Sequence, residues 1–160
     1  MVLVILAVIA ATAVLSVGTL GADDEIDREA RRLTALLQLA AEESLFQGRD
    51  LGIYIEEDRY RFFSYSRDSL QWQSLSGDPS FRERNLPEGL VLSLRVEDQD
   101  VELTPAENES DIEPQVAIFS SGEMTPFELW IEREYTDVRY MIRGRADGML
   151  ELVSENPDAI

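Results

Sequence analysis

The residue pairs best suited to chemistry in this chain are closely spaced carboxylates, because two neighbouring acids can share general acid and base roles or hold a cation. Three such pairs occur, at Asp98/Asp100, Glu107/Glu109 and Glu132/Glu134. Each is predicted to lie in a turn, in an acidic loop or on the outer face of a strand, where acidic side chains are normally solvated. The segment from Asp98 also lacks the glycine and the distal glutamate of an EF-hand loop. We therefore expect these pairs to be surface charges, with no catalytic residue, no bound cofactor and no metal site.

The residue types that most enzyme classes use are absent from the chain. It contains no Cys, no His and no Lys, so all 14 basic residues are Arg. This composition excludes Cys nucleophiles, thiolate zinc sites and Schiff-base lysines, and it removes the commonest general base. The segment Ser120-Ser121-Gly122 does not have the G-x-S-x-G form of a nucleophile elbow. With 32 acidic residues and a net charge of -18, nucleic acid is not an expected partner, and the composition indicates binding, structure or assembly.

The first 22 residues carry no charged side chain, and every charge in the chain lies from Asp23 onward. As an α-helix this segment would be roughly 33 Å long, which matches a hydrocarbon core about 30 Å thick. Three interpretations compete: a membrane-spanning anchor, a secretory signal cleaved near Ala11-Thr12-Ala13, and a buried core helix. A signal peptide would need a basic n-region, and a domain of this size could not cover a helix on every side. We therefore favour the anchor.

From Ile26 the apolar residues recur at helical spacing. The repeat predicts a helix with one buried face, which consists of Ile26, Ala30, Leu33, Leu37, Ala40 and Ser44, widened by Leu36 and Ala41. Gln47-Gly48 is a plausible C-terminal stop. We therefore expect one helix from about residue 1 to about residue 47, embedded in the membrane in its first half and packed on a head in its second. No Gly/Ser/Pro-rich spacer separates the two halves.

After Gly48 the helical period gives way to short alternating segments separated by turn residues. We expect seven or eight short strands, drawn from segments 51–55, 60–65, the surroundings of Trp72, 90–96, 101–103, 115–119, 127–132, 138–143 and 149–153. The fold class is α+β, with a long N-terminal helix packed on an antiparallel β-sandwich-like head. The expected division is 1–22 for the membrane and assembly half of the helix, 23–48 for its amphipathic half and 49–160 for the head. Trp72 and Trp130 could mark a partner surface, but for Trp72 we favour packing in the core.

An apolar helix, its amphipathic continuation and a β-rich head together resemble a type IV pilin-like subunit. The string VLVILAVIAATAVLS at 2–16 resembles the hydrophobic stretch that follows the pilin methylation motif. Residues 25–55 resemble the helix and first strand of the H-type pseudopilin family of type II secretion. IFSSGEMTPFELWI at 118–131 resembles that family's apolar strand, glycine turn and second strand. The resemblance spans nearly the whole chain, and further similar strings are Tyr60 to Phe62, the Trp72 region, Leu86 to Gly89 and the ADG at 146–148.

The resemblance implies a minor pseudopilin, a structural subunit of the type II secretion pseudopilus that helps export folded proteins across the outer membrane. It implies a single-pass inner-membrane protein whose C-terminal head lies in the periplasm. The implied partners are other pseudopilins, inner-membrane lipid before assembly, and the secretin or an exoprotein. The implied membrane and assembly helix residues are Val4, Ile5, Ala7, Val8, Ala11, Leu15 and Gly18. The helix face on the head would consist of Ile26, Ala30, Leu33, Leu37 and Ala40.

The sequence departs from that family's pattern at its start. Pilin-like precursors carry a short basic leader, a glycine cleavage site and a mature start resembling Phe-Thr-Leu-Ile-Glu, and none of these occurs here. We therefore expect Met1 to lie a few residues inside the mature helix. Two alternative functions remain open: a minor pilin of a type IV pilus, and a signal-anchored or signal-cleaved periplasmic binding domain.

Overall fold

One long helix leads into the head. The computed structural model describes the backbone of residues 2–155 and the side chains of residues 21 and 23–155. Helix α1 spans Val2–Gln47, and the glycine that follows has a φ of 62°, the left-handed conformation that ends many helices. The predicted helix end is therefore confirmed. Where side chains are described, no helix is long and apolar enough to cross a membrane, and nearly all of the predicted anchor, 1–22, lies outside that part.

Ten strands in two antiparallel sheets follow α1 within the described residues. They are β1 Leu51–Ile55, β2 Arg59–Ser66, β3 Gln71–Ser74, β4 Arg84–Asn85, β5 Leu90–Val96, β6 Gln99–Val101, β7 Val116–Ile118, β8 Phe127–Arg133, β9 Arg139–Gly144 and β10 Leu150–Glu155. The first sheet has the order β3-β2-β1-β7, with β4 also paired to β2, and the second has the order β10-β9-β8-β5-β6. The prediction of a helix on an antiparallel head is confirmed, since every strand pair is antiparallel.

The predicted count of seven or eight strands is wrong, because very short strands are too brief to show alternation. Strand β4 has two residues, and β6 and β7 have three each. Strand β6 also begins at Gln99 rather than at the predicted residue 101. The cause is a tight turn in which Glu97 and Asp98 take φ values of 49° and 64°, as a two-residue hairpin turn requires.

The second half of α1 packs with one face against both sheets, while its opposite face is exposed. It contacts β8, β9 and β10 of one sheet and β1 and β7 of the other. Each fully buried Leu or Ile contributes about 1.5–3 kcal/mol relative to an exposed one, so this contact contributes substantially to stability. The side chains buried there include Leu33 and Leu37 of α1, Leu51, Ile53 and Ile55 of β1, Ile118 of β7, and Leu129 and Ile131 of β8.

The edge pairing of β1 with β7 is extended by a side chain. The Ile55 N–H donates to Gln115 Oε1 at 2.9 Å, and Gln115 Nε2 donates to the Ile55 carbonyl, also at 2.9 Å. The carboxamide thus takes the place of one further backbone residue in the ladder. It satisfies a donor and an acceptor that would otherwise be left at a partly buried strand end.

A strap, residues 104–114, crosses the outer face of the first sheet. The Tyr54 hydroxyl donates to the Thr104 carbonyl at 3.0 Å. At the other end of the strap, a Cβ on Gly52 would lie 2.7 Å from Pro114 Cβ and 3.1 Å from Trp72 Cζ3. The core position expected for Trp72 is therefore wrong: its ring lies half-buried on the outer face, next to the strap. Gly52 is required because only a residue without a Cβ leaves room for both neighbours.

Candidate interaction site

The carboxylate pairs lie on the surface of the described residues. Asp98 is in the β5–β6 turn, and Asp100 accepts a hydrogen bond from Arg95 Nε at 3.0 Å. Glu109 lies 3.5 Å from Arg61, and Glu132 lies 3.6 Å from Arg139. Nowhere in the described part of the chain do three or more acidic side chains converge as metal ligands. These acids are therefore exposed or bound to arginines, which leaves extended surfaces rather than a pocket as the candidate site.

A cleft of about 740 Å³ lies beside the ends of β8, β9 and β10. Its charged lining is internally paired. Arg139 donates to Glu155 at 2.6 Å and lies 3.6 Å from Glu132. The Arg139 guanidinium also stacks over the Trp130 ring, 4.7 Å from its centroid. Cations that are already neutralised and stacked are poorly placed to capture a charged ligand.

The strongest candidate surface is α1 and its junction with the head. The five residues predicted to face the head are Ile26, Ala30, Leu33, Leu37 and Ala40, each at most 1% exposed. Ser44, the last residue of the same stripe, donates to the Ile118 carbonyl at 3.2 Å, which ties the helix to β7. At the other end of the junction, Glu25 forms an ion pair with Arg133 of β8. The helix is thus attached to the head along about five turns, so the two move as one body.

Ionisable groups near the start of the junction have shifted pKa values. The hydrogen bonds from Arg31 Nε to Asp27, at 3.0 and 2.9 Å, hold the pKa of that carboxyl below its usual value, against a smaller opposing effect of burial. Burial raises the pKa of Tyr140 on β9, which lies near Asp27. Burial likewise raises the pKa of Tyr60, and the nearby Arg32 partly offsets that rise.

We expect Asp27→Asn to lower the free energy of unfolding by less than about 1 kcal/mol at pH 7, because i,i+4 pairs near a surface are weak. A carboxylate whose folded pKa is lowered stabilises the fold above its unfolded pKa and loses that effect as the pH falls through the folded pKa. The difference between wild type and variant should therefore begin to shrink near the unfolded pKa, about pH 4, and disappear once the pH is below the lowered folded pKa. Urea unfolding at a series of pH values measures it. Arg31→Gln is the matched control, and a difference that persists unchanged at pH 3 would contradict the pairing.

The positions predicted for the membrane and assembly half of α1 lie outside the described side chains. These are Val4, Ile5, Ala7, Val8, Ala11, Leu15 and Gly18. The structure adds a feature that was not predicted, a group of exposed apolar residues where α1 ends: Leu45, Phe46, Phe119 and Met149. One sequence signal was available, because Leu45 and Phe46 are large, adjacent and outside the buried stripe. That signal becomes informative only when their neighbours in space are known.

Comparison with known proteins gives a consistent result. Residues 29–148 match the family described as type II transport protein GspH. Type II secretion system protein H of Aeromonas hydrophila is 32% identical, over 99% of this chain and 91% of that protein. Type II secretion system protein H of Pseudomonas aeruginosa is also 32% identical, over 80% of this chain and 75% of that protein.

Solved structures agree with the sequence matches. The crystal structure of the minor pseudopilin EpsH from the type II secretion system of Vibrio cholerae has a TM-score of 0.69 and 28% identity, covering 82% of this chain and 95% of that chain. The solution structure of Escherichia coli GspH has a TM-score of 0.64 at 21% identity, and we take it as evidence for the fold alone. The helix-and-sheet architecture described above is therefore shared with these proteins.

Proposed function

Since the chain belongs to the type II transport protein GspH family, we infer that it is a minor pseudopilin of type II secretion, a structural subunit of the pseudopilus. The observation that carries this inference is the extent of the match. The family covers residues 29–148, which include the helix–head junction and nearly the whole head. The sequence predicted an H-type minor pseudopilin, and the comparisons give the same family.

The rigid junction supports a mechanical role. The buried stripe of α1 packs against strands of both sheets, and the Glu25–Arg133 ion pair holds the helix where it enters the head. A flexible linker would dissipate a displacement of the N-terminal half, whereas a continuous helix transmits it. We therefore propose that the head moves with the helix when the pseudopilus extends and helps to export folded proteins across the outer membrane.

The location and partners follow as proposals from the same family membership. Before assembly, residues 1–22 would span the inner membrane, residues 23–48 would form the junction and residues 49–160 would lie in the periplasm. During assembly the apolar helices would leave lipid and pack on those of other pseudopilins, so the net cost of extraction would be modest. Small residues such as Ala7, Ala11 and Gly18 would permit close helix contact, with Val4, Ile5, Val8 and Leu15 packing around them. The secretin and an exoprotein are proposed contacts of the assembled head.

A clean deletion tests the proposal. We expect deletion to reduce exoprotein secretion severalfold, and expression of the chain with its native upstream sequence to restore it. Because the chain contains no Cys, Ala11→Cys introduces a unique thiol, which we expect to crosslink to another pseudopilin carrying a thiol in its own apolar helix. Glu151→Cys, on the exposed side of β10, is the matched control for random crosslinking.

Each alternative function predicts a different outcome. Normal secretion with impaired twitching in the deletion strain would assign the chain to a type IV pilus. A mature N-terminus after Ala13 or Ala22 would indicate a cleaved signal and would contradict both pilin-like functions. The sequence of the mature N-terminus and the secretion assay therefore separate the three.

A further inference from the structure

The end of α1 carries apolar side chains that the fold leaves uncovered. Leu45 and Phe46, in the last turn of α1, are 55% and 92% exposed. Phe119, which follows β7, is 40% exposed, and Met149, which precedes β10, is 62% exposed. Single exposed apolar residues are common on protein surfaces, whereas a contiguous group often marks an interaction site. We name Leu45, Phe46, Phe119 and Met149 the distal patch.

The chain segments that carry the distal patch are in contact with one another. Leu45 Cδ2 lies 3.4 Å from the position that a Cβ on Gly122 would occupy, in the turn after Phe119. The carbonyl oxygen of Gly122 in turn lies 2.2 Å from the position of a Cβ on Gly148, the residue directly before Met149. The Leu45 side chain therefore packs on one turn, and the two turns meet through their backbones, so the segments that carry the distal patch are adjacent.

Carboxylates surround the distal patch and outnumber the cations beside it. Asp147 and Arg145 lie 3.1 Å apart and neutralise each other, which leaves Arg49 as a cation close by in the described chain. Helix α1 has no basic residue in its last turn, so the partial negative charge of the helix end is not compensated there. A complementary surface would have an apolar centre and a rim of arginine or lysine. Close to the distal patch, the carboxylates of Glu42, Glu43, Asp50 and Glu123 form no ion pair with an arginine among the described residues.

A second copy of this chain fits the distal patch poorly. In a two-fold interface the same surface lies on both sides, so the acidic rims would face each other. Juxtaposed like charges suppress such a pairing. The chain as a whole has a net charge of -18, so a second copy would approach with like charge on average. The charge distribution therefore favours a different protein as the occupant.

We propose that the distal patch is the docking site for another subunit of the same pseudopilus, one that presents an apolar face rimmed by arginine or lysine. This proposal rests on the proposed function. The distal patch lies roughly 35 Å along the helix from residue 22, at 1.5 Å per residue, so this contact is separate from packing between the apolar helix halves. The head would then be held at two places, by α1 where the helix enters the head and by the neighbouring subunit at the distal patch.

Photocrosslinking in cells tests the proposal with the full chain. Benzoylphenylalanine at position 46 is expected to give an adduct with another pseudopilin, identified by mass spectrometry. The same probe at position 135 is the matched control. Tyr135 is 100% exposed and follows the C-terminal end of β8, whereas the turn after Phe119 precedes the N-terminal end of that strand. We expect no such adduct from position 135. An adduct with a second copy alone, or the absence of any pseudopilin adduct at position 46, would overturn the proposal.

Substitutions test the contribution of the distal patch to secretion. Phe46→Glu combined with Met149→Glu should lower exoprotein secretion about tenfold, as expected when central apolar contacts of an interface are lost. Tyr135→Glu adds one negative charge at a site that is also exposed, and this variant should secrete normally. Wild-type secretion by the double variant, at wild-type protein levels, would overturn the proposal. Should the double variant fail to accumulate, the adducts formed at position 46 of the otherwise unchanged chain decide.

Failure of this proposal is distinguishable from failure of the proposed function. If deletion of the chain leaves secretion intact, the proposed function itself fails. If deletion abolishes secretion while the Phe46→Glu, Met149→Glu variant secretes normally and the probe at position 46 gives no pseudopilin adduct, only the docking site fails.

Discussion

Replacement of Leu37 by alanine is expected to lower the free energy of unfolding by about 2–5 kcal/mol. The side chain is 0% exposed and lies on the face of α1 that packs against strands of both sheets. These packed strands limit how far the surroundings can collapse, so the substitution leaves a cavity as well as removing buried apolar surface. Alanine has a slightly better helix propensity than leucine, so a loss of stability cannot arise from the helix itself. Urea unfolding in mild detergent, followed by tryptophan fluorescence, measures the change.

Leu45→Ala is the matched control for Leu37→Ala. It makes the same substitution in the same helix at a side chain that is 55% exposed, so we expect a loss below about 1 kcal/mol. The order should be reversed in crosslinking. Leu45→Ala should reduce the adduct formed by benzoylphenylalanine at position 46 more than Leu37→Ala does, because Leu45 belongs to the distal patch and Leu37 does not. A loss of stability at Leu45 equal to that at Leu37 would contradict the buried position that the structure gives to Leu37.

The long helix is the element that the sequence predicts best, for reasons that are local. Its buried stripe follows from spacing alone, and its end follows from Gly48, whose φ of 62° matches the glycine stop. Hydrogen bonds in a helix join residues four apart, so the pattern needs no knowledge of the rest of the chain. The hairpin turn at Asp147-Gly148 is predictable for the same reason.

The sheet arrangement depends on contacts that the sequence does not show. Strand β7 joins β1 across more than 60 residues, and Gln115 completes that pairing with its side chain at 2.9 Å from Ile55. The strap over Gly52 is likewise visible only once Pro114 and Trp72 are placed above it. Alternation gives the faces of a strand but not its neighbours, so strand order and strap position could not be derived.

Only part of the candidate site could be predicted, again because the sequence shows local patterns but not long-range contacts. The face of α1 that packs on the head could be predicted from its period, whereas the distal patch combines residues from three distant segments. A single leucine or phenylalanine outside a buried stripe is common in any sequence. Only the contact between the turns at Gly122 and Gly148 brings Phe119 and Met149 to the end of the helix.

The contact between those two turns leads to the second large effect, at Gly148. Its φ is 82°, and a Cβ there would lie 2.2 Å from the carbonyl oxygen of Gly122. Gly148 closes the β9–β10 hairpin, where its N–H donates to the Arg145 carbonyl at 2.9 Å. A left-handed conformation costs an L-residue about 1–2 kcal/mol, and the obstructing atom is backbone that cannot rotate away. Gly148→Ala should therefore lower the free energy of unfolding by about 2–4 kcal/mol, since overpacking adds to the strain.

Substitutions at two other glycines distinguish the cost of a left-handed backbone conformation from the cost of a steric clash. Gly48 has a φ of 62° with no atom within 4 Å of the position that a Cβ would occupy, so Gly48→Ala should show the conformational strain alone, about 1 kcal/mol. Gly77 has neither a left-handed φ nor a close neighbour. Gly77→Ala should be neutral, or stabilise the fold by about 0.4–1 kcal/mol through the unfolded state. Urea unfolding of the three variants should rank them Gly77, Gly48, Gly148 in order of increasing loss.

The ranking also bears on the distal patch, because the turn closed by Gly148 positions Met149 beside the turn that follows Phe119. If the turns must separate to admit a Cβ, the surface between them changes shape even in molecules that remain folded. Gly148→Ala should then reduce the adduct formed by benzoylphenylalanine at position 46, whereas Gly48→Ala should reduce it less, since nothing obstructs a Cβ there. Equal losses of stability for Gly48→Ala and Gly148→Ala would show that the two turns are not in contact. The distal patch would then lose the backbone contact that makes it one surface.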